Sequence, residues 1–289
     1  MGADMKIRVA VLPLFVLIIC VSCSSASKKG AGDIDILRSQ TESELEIANK
    51  EAGRGNYENA LRILRECKRK AVLTDDSSLL IRISLSLGNV LLTIGSQDEA
   101  FAEWEAAAAE AQKTGNKELV SVCKVFQARG RLVSGRATAQ SVLDEVKREE
   151  GNIKTSALYI ALSWQVKGLA LREMRSFKEA EDAVRRSLAI HEKEKYLENA
   201  SYDWYLIASI LSLSGDSKGA IAALESAIAI DRRIENSWGL AASWRALGDV
   251  YRKNGNAKEA ADAYSRAKAI FTAMGNEHEA AEIDKRTAE

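Results

Sequence analysis

Apolar positions recur along this chain with two spacings at once. Locally, Trp244, Leu247, Gly248 and Tyr251 stand at i, i+3, i+4 and i+7, which places them on one face of a helix. Over longer distances the same residue types return every 40 residues, as in Trp164, Trp204 and Trp244 and again in Ala180, Ala220 and Ala260. A fixed period in this range is typical of a solenoid, in which stacked units bury their apolar faces against each other.

The period divides most of the chain into six blocks of two helices each. The blocks begin at Thr41, Ile81, Ser121, Ala161, Ser201 and Ala241. A turn separates the two helices of a block, and Gly255 supplies the positive φ with which a helix commonly ends. Glycine occupies the same position in four other blocks, at Gly55, Gly95, Gly135 and Gly215. Small residues at Gly88, Gly168 and Gly248 are expected to let the paired helices approach closely.

The last block identifies the type of repeat. From Trp244 to Ala267 it reads Trp-x2-Leu-Gly-x2-Tyr-x3-Gly-x4-Ala-x3-Tyr-x2-Ala, which closely resembles the tetratricopeptide repeat. The resemblance extends over residues 41–275 and implies an all-α, right-handed α-solenoid of about six 40-residue helix-turn-helix repeats. It is weakest in the block 121–160, where Gln140, Asp144 and Lys147 replace small or apolar residues. We predict that the second helix there shifts its register and buries Ala139, Val142, Leu143 and Val146. Residues 276–289 predict a capping helix with Ala280 and Ile283 facing inward.

The N-terminus has a different composition. Lys6 and Arg8 precede an apolar run over residues 9–21, which is too short to span a membrane comfortably and is typical of a secretory signal. The run ends in Cys20-Val21-Ser22-Cys23, which resembles the lipobox of bacterial lipoproteins, although Cys20 stands where that family usually has Leu. The resemblance implies a signal peptide over residues 1–22 and lipidation of Cys23. The alternative is ordinary cleavage near Ser25 or Ala26. Residues 23–40, rich in Ser, Lys, Gly and Ala, predict a flexible tether.

Composition and motifs give no sign of catalysis. The chain has 41 basic and 41 acidic residues, so no strong field favours nucleic acid as a partner. The sequence contains no phosphate-binding glycine loop, and the residue four positions after His191 is Lys195, so that histidine forms no helical metal pair. We expect His191 to be a solvated helix-end residue, Cys67 and Cys123 to be buried thiols, and Trp104 and the three periodic tryptophans to pack in the core. We predict no enzyme, cofactor or metal.

The family resemblance also implies where binding occurs. In tetratricopeptide arrays the first helix of each unit lines the inner wall of the solenoid. The corresponding positions here are Asn49, Arg82, Asn89, Arg129, Gln165, Arg172, Tyr202, Tyr205, Ser209, Arg245, Asp249 and Arg252. Amides and guanidinium groups there suit the backbone or carboxylates of a peptide, and tyrosines add flat contact area. The alternative is that these are ordinary solvated helix positions.

Together these features predict an exported, lipid-anchored scaffold that binds a protein or peptide partner in a concave groove. We expect it at a bacterial cell envelope, on the outer membrane and facing the periplasm. Two alternatives stay open. One is an accessory subunit of a periplasmic solute transport system, and the other is an assembly factor for outer-membrane, pilus or secretion complexes.

Overall fold

The computed structural model describes the backbone of residues 12–288 and the side chains of residues 32–287. Within that range the chain forms thirteen α-helices, one 3-10 turn and no strand. The helices are α1 Leu12–Gly53, α2 Tyr57–Leu73, α3 Ser77–Thr93, α4 Gln97–Thr114, α5 Lys117–Val133, α6 Ala139–Glu149, α7 Ala157–Glu173, α8 Phe177–Lys193, α9 Leu197–Ser214, α10 Ser217–Ile234, α11 Ser237–Lys253, α12 Ala257–Ala273 and α13 Glu277–Ala288; the 3-10 turn is Glu150–Asn152.

The helices pack as six consecutive pairs followed by one extra helix. The end of α1 and helices α3, α5, α7, α9 and α11 are the first members of the pairs, and α2, α4, α6, α8, α10 and α12 are the second. Each pair is joined by a short turn, and apolar clusters bury side chains both within the pairs and between neighbouring pairs. The predicted all-α solenoid of helix pairs is therefore confirmed.

In the second to sixth pairs, the first helix begins one turn before the corresponding sequence block. Helix α3 starts at Ser77, where the block starts at Ile81, and the same offset recurs along the chain. The start is fixed by side-chain caps, because Asp76, Asn116 and Asn236 each accept a hydrogen bond from the first turn of the following helix. These three residues lie at the same position within the 40-residue period, so the start of the helices could have been predicted from the sequence.

Small residues let the two helices of a pair approach, as predicted. A Cβ added at Gly248 would lie 2.6 Å from the ring of Tyr264, and one at Gly88 would overlap the indole of Trp104. Trp104 is fully buried and donates from Nε1 to the carbonyl of Leu85 at 3.2 Å. The three periodic tryptophans are only half-buried. Arg186 lies 4.7 Å over the ring of Trp164 and Arg266 lies 4.9 Å over that of Trp244.

The third pair is the irregular one, as the sequence predicts. Helix α6 has 11 residues and buries Val142, Leu143 and Val146, with Ala139 partly buried at its start. Helix α6 is shorter than the second helices of the other pairs. The segment that follows it is held by Glu118, whose carboxylate accepts hydrogen bonds from the backbone N–H groups of residues 154–156 and from the Thr155 hydroxyl. Burial alone would raise the pKa of Glu118, but these hydrogen bonds together lower it.

The extra helix α13 caps the last pair. Ala280 is 3% exposed and Ile283 is 1% exposed, and both pack in a cluster with Tyr264 and Phe271. The predicted inward residues of the capping helix are confirmed.

The two ends of the solenoid touch each other. Arg54 Nη2 lies 2.5 Å from Glu235 Oε2, and the ring of Tyr57 meets that of Trp238 edge to face at 5.9 Å between centroids. A Cβ on Gly55 would overlap the side chain of Met274. We call this contact between the first pair and the fifth and sixth pairs the seam. Because of the seam, the solenoid completes a ring around its inner face.

The N-terminal segment is continuous with the first pair. The predicted tether, residues 23–40, lies within α1, and Arg38 near its end binds Asp76 through an Nε–Oδ2 contact of 2.6 Å. Residues 1–11 of the predicted signal peptide and the side chain of Cys23 lie outside what the structure describes. Among the described residues, no helix combines the length and the apolar character needed to cross a membrane.

Candidate functional site

One cavity lies at the centre of the ring. Its volume is about 560 Å³, and every first helix of the six pairs contributes to its wall. The lining side chains are a mixture of amides, aromatic rings and aliphatic groups with one arginine and one glutamate. They include Asn49, Tyr57, Asn89, Phe126, Arg129, Leu158, Tyr159, Leu162, Gln165, Glu198, Asn199, Tyr202 and Trp238. A volume of about 300–1,000 Å³ is usual for a small-molecule or cofactor site.

Five of the twelve residues predicted for the groove line this cavity. They are Asn49, Asn89, Arg129, Gln165 and Tyr202. The structure therefore brings together residues from five different repeats that are up to 153 positions apart in the sequence.

Three other predicted residues belong to α11 and are engaged by the capping helix. Arg245 forms a salt bridge with Glu279, Asp249 binds Arg286 at 2.7 Å, and Arg252 donates to the backbone carbonyl of Arg286 at 2.8 Å. Asp249 also accepts from the hydroxyl of Tyr264 at 2.7 Å. These side chains lie on the inner face of α11, but α13 uses their hydrogen-bonding capacity.

The remaining four predicted residues do not line the cavity; they are Arg82, Arg172, Tyr205 and Ser209. Arg82 binds Glu42 at 3.2 Å, and Arg172 binds both Glu173 and the hydroxyl of Ser209. Tyr205 stacks on Tyr202 with 6.3 Å between ring centroids. Tyr205 and Arg245 also line a smaller adjoining pocket of about 200 Å³, together with Asp231.

A buried polar network supports the cavity wall. Gln165 Nε2 donates to Asp203 Oδ1 at 2.8 Å, and His191 Nδ1 lies 2.6 Å from Asp203 Oδ2. His191 is 1% exposed and Asp203 is fully buried. The expectation of a solvated helix-end histidine was therefore wrong. His191 is two residues before the end of α8, but α9 covers it and supplies its carboxylate partner, Asp203.

Three polar atoms of the cavity wall have no hydrogen-bond partner among the described residues. They are the hydroxyl of Tyr57, Oδ1 of Asn89 and Nε of Arg129, all of them buried. Burial raises the pKa of Tyr57 and of Tyr159, so both phenols stay protonated near neutral pH and can donate. Unpaired buried polar atoms are costly in free energy, so these three atoms are available to pair with water or a ligand that enters the cavity.

The adjoining pocket contains a buried acid. Asp231 is 1% exposed, and Asn236 Nδ2 donates to its Oδ1 at 2.8 Å. Burial raises the pKa of Asp231 to about 6. In this part of the molecule an acidic group therefore approaches neutrality under mildly acidic conditions.

The sequence interpretation missed the aromatic and acidic groups at one edge of the cavity. Tyr159, Glu198, Asn199 and Trp238 line it and lie in the first turn of α7, α9 or α11. That turn precedes the block boundaries, so it was not assigned to the inner wall. The caps at Asp76, Asn116 and Asn236 would have revealed the earlier helix start.

The cysteines that the structure describes behave as predicted. Cys67 and Cys123 are buried free thiols. Burial raises the pKa of the Cys67 thiol to about 11 and that of Cys123 to about 12, so both stay protonated and unreactive. Within the described residues, no group of three or more His, Cys, Asp or Glu side chains is arranged to hold a metal ion.

Fold and cavity together define an α-solenoid of helix pairs with an inner binding surface, a class that generally mediates protein–protein interaction. Residues 198–273 match the model of the tetratricopeptide repeat family. The match covers the fifth and sixth pairs, and the remaining pairs share the same architecture. A search of curated proteins found no significant match.

Solved structures with this fold include proteins of diverse roles. A Rap protein in complex with competence and sporulation factor superposes with a TM-score of 0.59 at 16% identity, over 86% of this chain and 76% of that one. BtubC from P. vanneervenii gives 0.53 at 16% identity, over 78% and 92%. A chain of the APC/C hetero-tetramer Cut9–Hcn1 gives 0.58 at 15% identity, over 90% and 47%. Identities this low establish the fold alone.

Proposed function

We propose that this protein is a lipid-anchored interaction module of a bacterial envelope, which binds a segment of a peptide or protein partner in its central cavity. The observation that carries the proposal is the cavity wall itself, to which all six repeats contribute. The protein acts by binding and presentation, without catalysis of its own.

Two kinds of support favour a peptide-like partner. The wall alternates amide side chains with aromatic rings, which suits a polypeptide backbone and its apolar side chains. The Rap protein, which has the same fold, was solved in complex with competence and sporulation factor.

Attachment to a membrane is a separate part of the proposal and rests on the sequence. The lipobox-like stretch ending at Cys23 supports acylation, and two or more acyl chains anchor a protein stably. We propose that the anchor lies in the outer membrane and that the ring faces the periplasm, where tethering raises its effective concentration near other envelope proteins.

One experiment tests the anchor. Mass spectrometry of the mature protein from its native host is expected to show an acylated N-terminal Cys23, and Cys23→Ala is expected to release the protein from the membrane fraction. An unmodified N-terminus located after residue 23 would refute the anchor.

A second experiment tests the cavity. Cross-linked partners are captured from envelope fractions with the wild type, with Tyr202→Ala combined with Asn89→Ala, and with Tyr251→Ala as a matched control. Tyr251 is also a half-buried tyrosine of a first helix, but it lines a pocket formed by α10, α11 and α12 away from the cavity. Partners that survive the double change in full would show that binding occurs elsewhere.

The accessory subunit of a solute transport system is the second candidate. It is favoured by the volume of the cavity, which suits a small solute as well as a peptide segment.

A further inference from the structure

The pocket beside the central cavity contains a buried acid without a basic partner. Asp231 is 1% exposed, and no salt bridge among the described residues includes it. By contrast, Asp203 is paired with His191, and Asp249 is paired with Arg286. A buried carboxylate without a counter-charge is costly in free energy. Asp231 is therefore available to pair with a cation from outside the chain.

The preceding repeat shows how the chain itself can neutralise an acid at this place. His191 Nδ1 lies 2.6 Å from a carboxylate oxygen of Asp203, and 40 residues further along the equivalent positions are Asp231 and Ser243. The acid of the later repeat lies on α10, and the position opposite it on α11 is a serine, which has no charge. One repeat therefore contains both members of an acid–base pair, and the next contains the acid alone.

The first turn of α11 places the Asp231 carboxylate in the pocket wall. Asn236 Nδ2 donates to Asp231 Oδ1 at 2.8 Å. A Cβ on Gly239 would lie 2.6 Å from Asp231 Oδ2, so the carboxylate can approach this turn only because residue 239 has no side chain. An ionised carboxylate has about four lone-pair sites, so the bond from Asn236 leaves acceptor capacity for a ligand.

The other side chains of the pocket suit an ammonium group on a short alkyl chain. Tyr202, Tyr205 and Trp238 contribute aromatic rings, which attract ammonium groups and pack against methylene groups. Arg245 also lines the pocket, but its salt bridge with Glu279 balances its charge. Among the lining residues, Asp231 is thus the one whose charge has no counter-charge.

A second acid on the same side of the molecule strengthens the preference for a cation. Glu198 lines the central cavity, and the nearby basic group that acts on it is Lys50. Desolvation raises the pKa of both Glu198 and Asp231, and the negative charge of Glu198 raises the pKa of Asp231 further. A cation bound beside Asp231 favours its ionised form and reduces the repulsion between the two acids.

The volume of the pocket limits the ligand. Tyr202 and Trp238 line both this pocket and the central cavity, so a ligand can reach the pocket from the cavity. The pocket holds about 200 Å³. One water molecule occupies about 30 Å³ in the liquid, so there is room for roughly six non-hydrogen atoms.

We infer that this pocket binds a primary alkylammonium group, with the ammonium on Asp231 and the alkyl chain against Tyr202, Tyr205 and Trp238. A free alkylamine and the side chain of a peptide lysine share this chemistry. The inference goes beyond the proposed function, because it concerns the adjoining pocket and requires no partner in the central cavity.

Calorimetric titration with butylamine and 1-butanol tests the inference, because the two probes have the same size but only the amine is charged near neutral pH. We expect the wild type to bind butylamine at least about tenfold more tightly than 1-butanol, and Asp231→Asn to remove that difference. Asp182→Asn, at an exposed position on α8, is the matched control and keeps the preference. Equal binding of the two probes by the wild type, or no binding of butylamine in the millimolar range, would overturn the inference.

The pH dependence of the wild type provides a test that needs no variant, in case Asp231→Asn proves poorly folded by circular dichroism. The ammonium group competes with a proton for Asp231, whose pKa is about 6. We expect butylamine to bind about tenfold more weakly near pH 5 than near pH 8. Affinity that does not change over this range would contradict binding to Asp231.

A third probe identifies the source of the amine. Lysine blocked at both ends, as its N-acetyl N-methylamide, has the side-chain ammonium as its only charge. It binds as tightly as butylamine if the pocket takes a peptide lysine, and much more weakly if the pocket takes a free amine.

The inference and the proposed function fail in different ways. Loss of captured envelope partners in the double variant, without any preference of the wild type for butylamine, would support the proposed function and refute this inference. A preference for butylamine together with full survival of the partners would support this inference and refute binding of the partner in the central cavity.

Discussion

Helices α5 and α11 occupy the same place in their repeats, but their inner faces have different surroundings. On α11, Arg245 and Asp249 are bonded to side chains of α13. On α5, Arg129 faces the cavity without an acidic partner. The position within a repeat therefore determines which way a side chain faces, while the elements at the ends of the array determine whether it stays available.

The two regions also contain opposite unpaired charges. Asp231, packed beside the start of α11, is a buried acid, and Arg129 is a half-buried base whose Nε has no hydrogen-bond partner among the described residues. The carboxyl group can become neutral by taking up a proton, whereas the guanidinium group cannot lose one under physiological conditions. Protonation can therefore relieve the burial of Asp231, whereas Arg129 keeps its charge.

The largest effect on stability is expected from a substitution that disrupts the packing of the capping helix α13. Ile283→Ala leaves a void against Tyr264 and Phe271, and we expect a loss of about 2–5 kcal/mol in the free energy of unfolding, measured by urea denaturation. Lys285→Ala on the exposed side of α13 is the control and is expected to change stability by less than about 0.5 kcal/mol. Equal losses in the two variants would show that α13 does not act as a packed cap.

A smaller effect on stability is expected from substitutions on the inner faces of α11 and α5, which can be compared directly. Asp249→Ala leaves the Tyr264 hydroxyl and Arg286 without their acceptor, so we expect a loss of about 1–3 kcal/mol. Arg129→Gln removes a contact with one ring and is expected to cost less than about 1 kcal/mol. Both are measured under the same denaturation conditions. If Arg129→Gln were the more damaging change, Arg129 would be a structural residue instead of a ligand-binding one.

The last expected effect depends on pH. The pKa of Asp231 is about 6 in the folded protein against an ordinary value of 3.8, so the folded state holds its proton more tightly than the unfolded state does. That stabilisation is complete below about pH 4 and is lost as pH rises through about 6. Asp231→Asn removes this dependence, so the variant should gain up to about 3 kcal/mol relative to the wild type between the two ends of that range.

The measurement is the melting temperature of both proteins across that pH range. Asp182→Asn, a change of the same kind at an exposed position on α8, is the control. Parallel curves for the wild type and Asp231→Asn would contradict a raised pKa for this group.

The periodic pattern predicted the architecture but not the closure of the ring. Spacings of 3.6 and 40 residues identified the helix pairs, the close approach at Gly248 and the shifted register of α6, because these depend on neighbours in the repeat. The seam joins Tyr57 to Trp238, which are far apart in sequence and follow no common phase. The burial of His191 was missed for a similar reason, since it depends on Asp203 of the following repeat.

The seam has a consequence for how this chain can change in length. An open solenoid gains or loses a repeat at modest cost, because each unit contacts only its neighbours. Here Arg54 contacts Glu235 and Tyr57 contacts Trp238, so these residues must lie at a fixed distance from each other around the ring. Insertion or deletion of one 40-residue unit between them would move these partners apart, so the geometry of the ring fixes the number of repeats from the first pair to the fifth.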